Sequence, residues 1–301
     1  PPRSTLFPYT TLFRSSGNPT LTCSYDDENQ LVEMIHSDGI GEESFLESAG
    51  SGWRSVFTYD GRGRLRLRQD YEWSGSAWTL TAEHRYVYDG MRVIQTRQGN
   101  NTPYVSYTRG TDLSGSLEGA GGIGGLLGRS HLYSGGNWYT HNFYHADGNG
   151  NVTYLVNSSQ GLAASYRYDP YGNLISQSGT LAFANVYRFS SKEIHWNSGF
   201  YYYGYRWYAP NLQRWLNRDP IGEAPDLNLY VFARNGPLQF TDPWGGTAIA
   251  IPPGGGSGGV GGSGRPGNWG PGNAPTTGPG VGCTPERSEE HTSELQSPNT
   301  I

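Results

Sequence analysis

One short phrase recurs along this chain: an alternating run, then Tyr-Asp, then a turn rich in Gly or Asn, then another alternating run. Copies stand at Tyr25-Asp26 with Asn29-Gln30-Leu31-Val32 behind it, at Tyr59-Asp60-Gly61-Arg62-Gly63-Arg64-Leu65, at Tyr88-Asp89-Gly90-Met91-Arg92-Val93, and at Tyr168-Asp169-Pro170-Tyr171-Gly172-Asn173-Leu174. Asp hydrogen-bonds its own backbone and Gly accepts positive φ, so each phrase encodes a chain reversal. The flanks, such as Arg64-Leu65-Arg66-Leu67-Arg68 and Arg85-Tyr86-Val87-Tyr88, have the period of two that strands require. Tyr144, followed by Asp147-Gly148-Asn149-Gly150-Asn151-Val152, is a degenerate copy. A single hairpin cannot bury its own face, so the phrases predict a series of antiparallel hairpins stacked on one another. Tyr25 to Tyr59 is 34 residues and Tyr59 to Tyr88 is 29, so the hairpins carry insertions and no regular solenoid is implied.

Composition supports an all-β chain. Charged residues make up 16% and aromatics 14%, and 45 of 301 residues are Gly, against about 25% charged and roughly 7% Gly in ordinary globular domains. Short strands joined by Gly turns give this balance, and Tyr and Trp suit half-buried pleated surfaces. The net charge is −5, the Arg residues are scattered, and Lys192 is the only lysine. A basic stripe for nucleic acid is therefore missing, and no apolar run approaches the roughly 18 residues that mark a membrane span.

The densest information lies between residues 187 and 245. Tyr201-Tyr202-Tyr203-Gly204-Tyr205-Arg206-Trp207-Tyr208 is followed by two Asp-Pro-x-Gly motifs, Asp219-Pro220-Ile221-Gly222 and Asp242-Pro243-Trp244-Gly245. Each motif is a good turn: Asp accepts backbone hydrogen bonds, Pro fixes φ and Gly permits the reversal. Two carboxylates brought close together can instead share a proton, one acting as acid and the other as base. Asp219 and Asp242 are the natural pair for that chemistry, and the residue types alone leave turn and dyad both open.

The Tyr-Asp hairpins together with Tyr187-Arg188-Phe189-Ser190-Ser191-Lys192-Glu193, Gly199-Phe200-Tyr201-Tyr202, Gln213-Arg214-Trp215-Leu216, Asn228-Leu229-Tyr230, Asn235-Gly236-Pro237 and the two Asp-Pro motifs resemble the bacterial Rhs (rearrangement hot spot) family, from about Tyr25 to Gly245. The resemblance implies a hollow β shell of YD-repeat strand pairs, closed by a repeat-associated core. It implies a variable toxin or effector after the core, cut free just downstream so that it lies loose inside the shell. By resemblance to the self-cleaving Rhs and toxin-complex C proteins, Asp219 and Asp242 are the catalytic pair and Arg206 the residue that orients one carboxylate, as a bidentate Arg can. This chain departs from the cleaving pattern at Gly246, where cleaving members usually have Leu. The implied division is YD-type β region over 16–180, core over 181–246, and Gly/Pro-rich linker over 247–286. Expected partners are the chain's own C-terminal effector and either a secretion apparatus or cell-surface carbohydrate, in a secreted or cell-surface location. No cofactor and no metal are expected. A non-cleaving, cell-surface structural or adhesion protein, in which the core only caps the shell, stays open beside the toxin reading, and the natural sequence beyond Glu286 would separate them.

The two ends stand apart. Residues 287–297 match the in-frame translation of a common sequencing adapter and residues 4–15 the opposite adapter, so 1–15 and 287–301 are expected to be foreign to the fold and the rest a fragment. Such a fragment is expected to form a partial, curved sheet with open strand edges prone to aggregation.

Three further patterns are weaker. Gly119-Ala120-Gly121-Gly122-Ile123-Gly124 fits GxGxxG, yet no βαβ pattern surrounds it. His141 and His145 are four apart, but in strand-like text. Trp53, Trp73, Trp78 and Trp138 could stack on sugars, although cross-strand pairing explains them more simply. Cys23 and Cys283 have no spacing that builds a zinc site and read as unpaired thiols.

Overall fold

The computed structural model describes residues 10–13, 20–37, 52–222 and 227–251, all within one compact unit. Thirteen strands form one antiparallel sheet in chain order: β1 (Thr10–Phe13), β2 (Thr20–Tyr25), β3 (Leu31–Ser37), β4 (Trp53–Tyr59), β5 (Leu65–Trp73), β6 (Trp78–Asp89), β7 (Arg92–Gln98), β8 (Pro103–Arg109), β9 (Leu126–Ser134), β10 (Asn137–Ala146), β11 (Val152–Asn157), β12 (Leu162–Tyr168) and β13 (Leu174–Ser178). The fold is the expected succession of antiparallel hairpins. Among the described residues the order is linear, with β1 and β13 at the edges. β1 comes from the adapter-like opening and pairs with β2 from Thr10↔Ser24 to Phe13↔Leu21. A Thr- and Phe-containing segment of high β propensity is what an unpaired strand edge recruits.

The Tyr-Asp phrase has two separate jobs. Asp60 Oδ1 accepts the N–H groups of Arg62 and Arg64, and Asp169 Oδ1 accepts those of Tyr171 and Asn173, closing a five-residue turn. Asp26 and Asp147 repeat this arrangement, so the copy expected to be degenerate is complete at its turn. The fourth turn residue has positive φ each time: Asn29, Gly63, Gly150 and Gly172. Tyr reaches across to the previous hairpin. The hydroxyls of Tyr59, Tyr88 and Tyr168 donate to the carbonyls of Leu31, Leu65 and Val152, each the first strand residue after an Asp turn. Those three aliphatic residues are buried, so one ring both covers the neighbouring hairpin's core residue and satisfies its backbone. Tyr88-Asp89 departs from the other copies. Asp89 and Arg92 pair within the ladder, leaving a two-residue Gly90-Met91 turn with Gly90 at φ +59.

The core region adds β14 (Glu193–His195), β15 (Phe200–Tyr202), β16 (Trp207–Ala209) and β17 (Arg214–Trp215) as a small antiparallel sheet, and β18 (Phe240–Thr241) with β19 (Ile249–Ala250) as a hairpin. Tyr201, Tyr203, Tyr208, Trp215 and Phe232 bury one another in its centre, and each large aromatic removed from water contributes about 2–3 kcal/mol. This region seats on the large sheet through polar contacts as well as packing. Trp207 Nε1 donates to Tyr59 Oη at 3.2 Å, Asn217 Nδ2 to the Asn29 carbonyl at 2.9 Å, and Arg68 pairs with Glu193 at 3.1 Å. Residues 249–250, inside the expected linker of 247–286, turn back to pair with β18, and the Gly/Pro-rich tract from 254 to 282 lies outside the described residues.

Candidate functional site

Both Asp-Pro motifs fold as turns. Asp219 Oδ1 accepts the Ile221 N–H at 3.0 Å, and Gly222, at φ +71, bonds back to the Asp219 carbonyl. Asp242 Oδ1 accepts three N–H groups, from Trp244 at 3.2 Å, Gly245 at 2.8 Å and Gly246 at 2.9 Å. Gly245 sits at φ +78, and a Cβ there would stand 3.0 Å from the Arg206 backbone nitrogen, so glycine is required twice over. In each motif the turn uses only Oδ1.

The second oxygen of each carboxylate points to Arg206. Arg206 follows the Gly204-Tyr205 turn into β16, and that turn is tied to the second motif by the Tyr205 N–H to Trp244 carbonyl bond of 2.9 Å. One guanidinium nitrogen, Nη2, lies 2.9 Å from Asp219 Oδ2 and 3.3 Å from Asp242 Oδ2. The same nitrogen is 3.4 Å from the Gly246 carbonyl oxygen, while Nε donates to the Gly245 carbonyl at 2.6 Å and Nη1 to that of Leu229 at 3.1 Å. The guanidinium carbon stacks 4.3 Å from the Trp215 ring centre. All three charged residues are at least nine-tenths buried. The structure therefore brings Arg206, Asp219 and Asp242 together, and turn and paired carboxylates are the same object seen from its two oxygens.

Two buried carboxylates face one guanidinium, so the cluster carries an unbalanced negative charge when both are ionised. Burial, reinforced by the Asp242 charge, raises Asp219 from its ordinary value, although the Ile221 N–H and Arg206 oppose the shift. Burial also lowers the Arg206 guanidinium, with both carboxylates opposing, yet a guanidinium stays a cation at any physiological pH. A carbonyl, a cation on its oxygen, and two carboxylates that meet at that cation form a set able to polarise a peptide bond and move a proton.

A residue that sequence reasoning passed over completes the surroundings. Lys192 Nζ donates to the Pro243 carbonyl at 2.5 Å and the Gly121 carbonyl at 2.9 Å. Its signal in the sequence was its solitude. The Gly119–Gly124 stretch is a buttress rather than a phosphate cradle: the N–H groups of Ala120 and Gly122 are taken by Asp112 Oδ2 and that of Gly124 by Ser191 Oγ. His141 and His145 each bond a hydroxyl on a neighbouring strand, Ser130 and Thr153. The four tryptophans pair across strands or beside them, Trp73 on Trp78, Trp138 on Tyr133, and Trp53 on His36. Cys23 is a buried free thiol, pushed up to about 12 by that burial, and Cys283 lies outside the described residues.

The chain is 43% identical over 79 residues to toxin subunit YenC2 of Yersinia entomophaga, a stretch covering 25% of this chain and 8% of that protein. It is 24% identical over 245 residues to double-stranded DNA deaminase toxin A of Burkholderia cenocepacia, covering 77% of this chain and 16% of that one. With the tRNA3(Ser)-specific nuclease WapA of Bacillus spizizenii it shares 26% identity over 252 residues, 77% of this chain and 10% of that one. The chain therefore spans between 8% and 16% of the length of these curated relatives. Its fold is that of a portion of the TcdB2-TccC3 crystal structures: one, TcdB2-TccC3-TEV, superposes with a TM-score of 0.57 at 21% identity, covering 77% of this chain and 10% of that one. No family model matches the chain.

Proposed function

We propose that this chain is part of an Rhs-type toxin shell, a YD-repeat sheet over 16–180 joined to a core over 181–246, and that the core cuts its own backbone between Gly246 and Thr247 to free a C-terminal effector. The observation that carries this reading is the single nitrogen Arg206 Nη2, within 3.4 Å of Asp219 Oδ2, Asp242 Oδ2 and the Gly246 carbonyl oxygen. Arg206 withdraws electrons from that carbonyl. Asp242 takes a proton from an attacking water as the new carbon–oxygen bond forms, and Asp219 gives its proton to the Gly246 carbonyl oxygen, making a gem-diol. Collapse breaks the carbon–nitrogen bond as Asp242 passes its proton to the Thr247 nitrogen and a gem-diol hydroxyl returns a proton to Asp219, leaving a Gly246 carboxyl group and a new N-terminus. Similarity to toxin proteins of three genera supports the delivery role and a secreted location, with the effector as partner. The test is release of a small folded reporter fused after the chain, alongside Asp219→Asn and Asp242→Asn variants. Release in the parent and in neither variant is expected, and an uncut parent sinks the cleaving core.

One observation favours a second reading. The Oδ1 roles of Asp219 and Asp242 are those of Asp26, Asp60, Asp147 and Asp169 in the hairpin turns, and Asp60 Oδ2 likewise meets a guanidinium, that of Arg64 at 2.8 Å. On that reading the core caps a cell-surface YD-repeat protein and releases nothing.

A further inference from the structure

Lys192 stands at an unusual place for the only lysine in a chain. It follows the tight Phe189–Ser191 turn, whose residues Ser190 and Ser191 both have positive φ, and it is only 6% exposed. Its ammonium sits between the rings of Tyr203 and Trp244, 5.2 and 5.0 Å from their centres, and donates to two carbonyls on separate loops. Those loops already touch, since a Cβ on Gly121 would come within 2.0 Å of the Pro243 oxygen. The Gly loop is in turn locked by Asp112 and by the Gly124 N–H to Ser191 Oγ bond. Pro243 is bonded directly to Asp242, so whatever fixes the Pro243 carbonyl also fixes the carboxylate that meets Arg206.

We propose that Lys192 is the positioning residue of the Asp219–Asp242 pair: it clips the Asp242-Pro243-Trp244-Gly245 turn to the Gly119–Gly124 loop and supplies the positive charge beside Asp242. This rests on the cleaving reading for its consequence, but the clip itself has an independent readout. The charged and titratable groups facing Lys192 are Arg109 from the end of β8, Asp112 from the segment ahead of the Gly loop, and Asp242 and Tyr203 from the core. Burial, with Arg109 in support, lowers its amine to about 7 against the pull of Asp242 and Asp112. As pH rises through 7 the site therefore loses a cation while the amine keeps donors for both carbonyls. Release is expected to slow over that interval, adding a limb near 7 to the fall that loss of the Asp219 proton itself produces.

Two measurements on the full chain test this. With lysine labelled at Cε with carbon-13, the folded protein gives one lysine resonance, which is expected to titrate near 7 and to move to lower pH in Asp242→Asn. A midpoint near the ordinary ~10.4, or one unmoved by Asp242→Asn, overturns the proposal. In the reporter fusion, Lys192→Met, close to volume-conserving, is expected to slow release about tenfold or more at pH 6 and to abolish the limb near 7. A Lys192→Met profile with the parent's shape overturns the proposal while leaving the cleaving pair standing. An uncut parent whose lysine resonance still responds to Asp242 removes cleavage and leaves the clip.

Discussion

Replacing Gly246 by Leu should accelerate cleavage. Gly246 is not in the left-handed region, and a Cβ added there meets only Ile221, at 3.5 Å from Cδ1 and 3.9 Å from Cγ1, which is ordinary contact. Ile221 is itself 51% exposed, so a leucine side chain can lie along it without displacing anything. Covering about half of the leucine surface is worth roughly 1–1.5 kcal/mol at about 25 cal/mol per Å². Removing glycine's backbone freedom adds about 0.5–1 kcal/mol where the conformation suits other residues. Both gains are spent holding the Gly246 carbonyl against Arg206, now a long 3.4 Å bond. If most of that appears in the barrier, at about 1.4 kcal/mol per decade, release rises roughly tenfold. The assay is a time course of reporter release in parent and Gly246→Leu, with thermal melts of both. Equal or slower release in a variant that melts with the parent would refute the positioning argument.

Arg206→Met should leave two buried carboxylates without their directly bonded cation and cost about 3–5 kcal/mol, read by urea denaturation; a change within about 1 kcal/mol would mean that Asp219 and Asp242 do not depend on it. Gly121→Ala, at φ +64 with its Cβ 2.0 Å from the Pro243 oxygen, should destabilise clearly more than Gly63→Ala, at φ +72 with its nearest neighbour 3.7 Å away, where only the backbone cost of about 1–2 kcal/mol applies; equal melting losses would contradict the interlocked loops. Burial and the Arg68 charge lower His84 to about 4, and burial lowers His195. Both imidazoles are therefore harder to protonate folded than unfolded, so stability is complete above about 6.5 and falls as pH drops toward 4, by up to about 3 kcal/mol from His84 alone. Denaturation midpoints that rise between pH 6.5 and 4.5 would reverse that sign.

The hairpins were legible because a five-residue Asp turn is settled by its own atoms, and Asp60 or Asp169 needs nothing distant to close it. Asn157 makes the same turn, accepting from Ser159 and Gly161, but Val156 precedes it, and without a Tyr in front it left no recognisable phrase. The purpose of the Tyr was not legible, since Tyr59 and Leu31 meet only when separate hairpins stack. For the site, residue types offered turn or dyad as alternatives, and only the three-dimensional placement of Arg206 shows each carboxylate serving a turn with one oxygen and the guanidinium with the other. The buried network of Ser55, Asp70, His195, Arg68 and Glu193, which joins sheet to core, had no local pattern at all.

The bond that breaks is the most direct test. Intact-mass measurement of both pieces from the reporter fusion is expected to place the cut at Gly246–Thr247, with Asp219→Asn and Asp242→Asn remaining whole. An unbroken parent, a cut at another bond, or cutting that persists in either Asn variant would contradict the account.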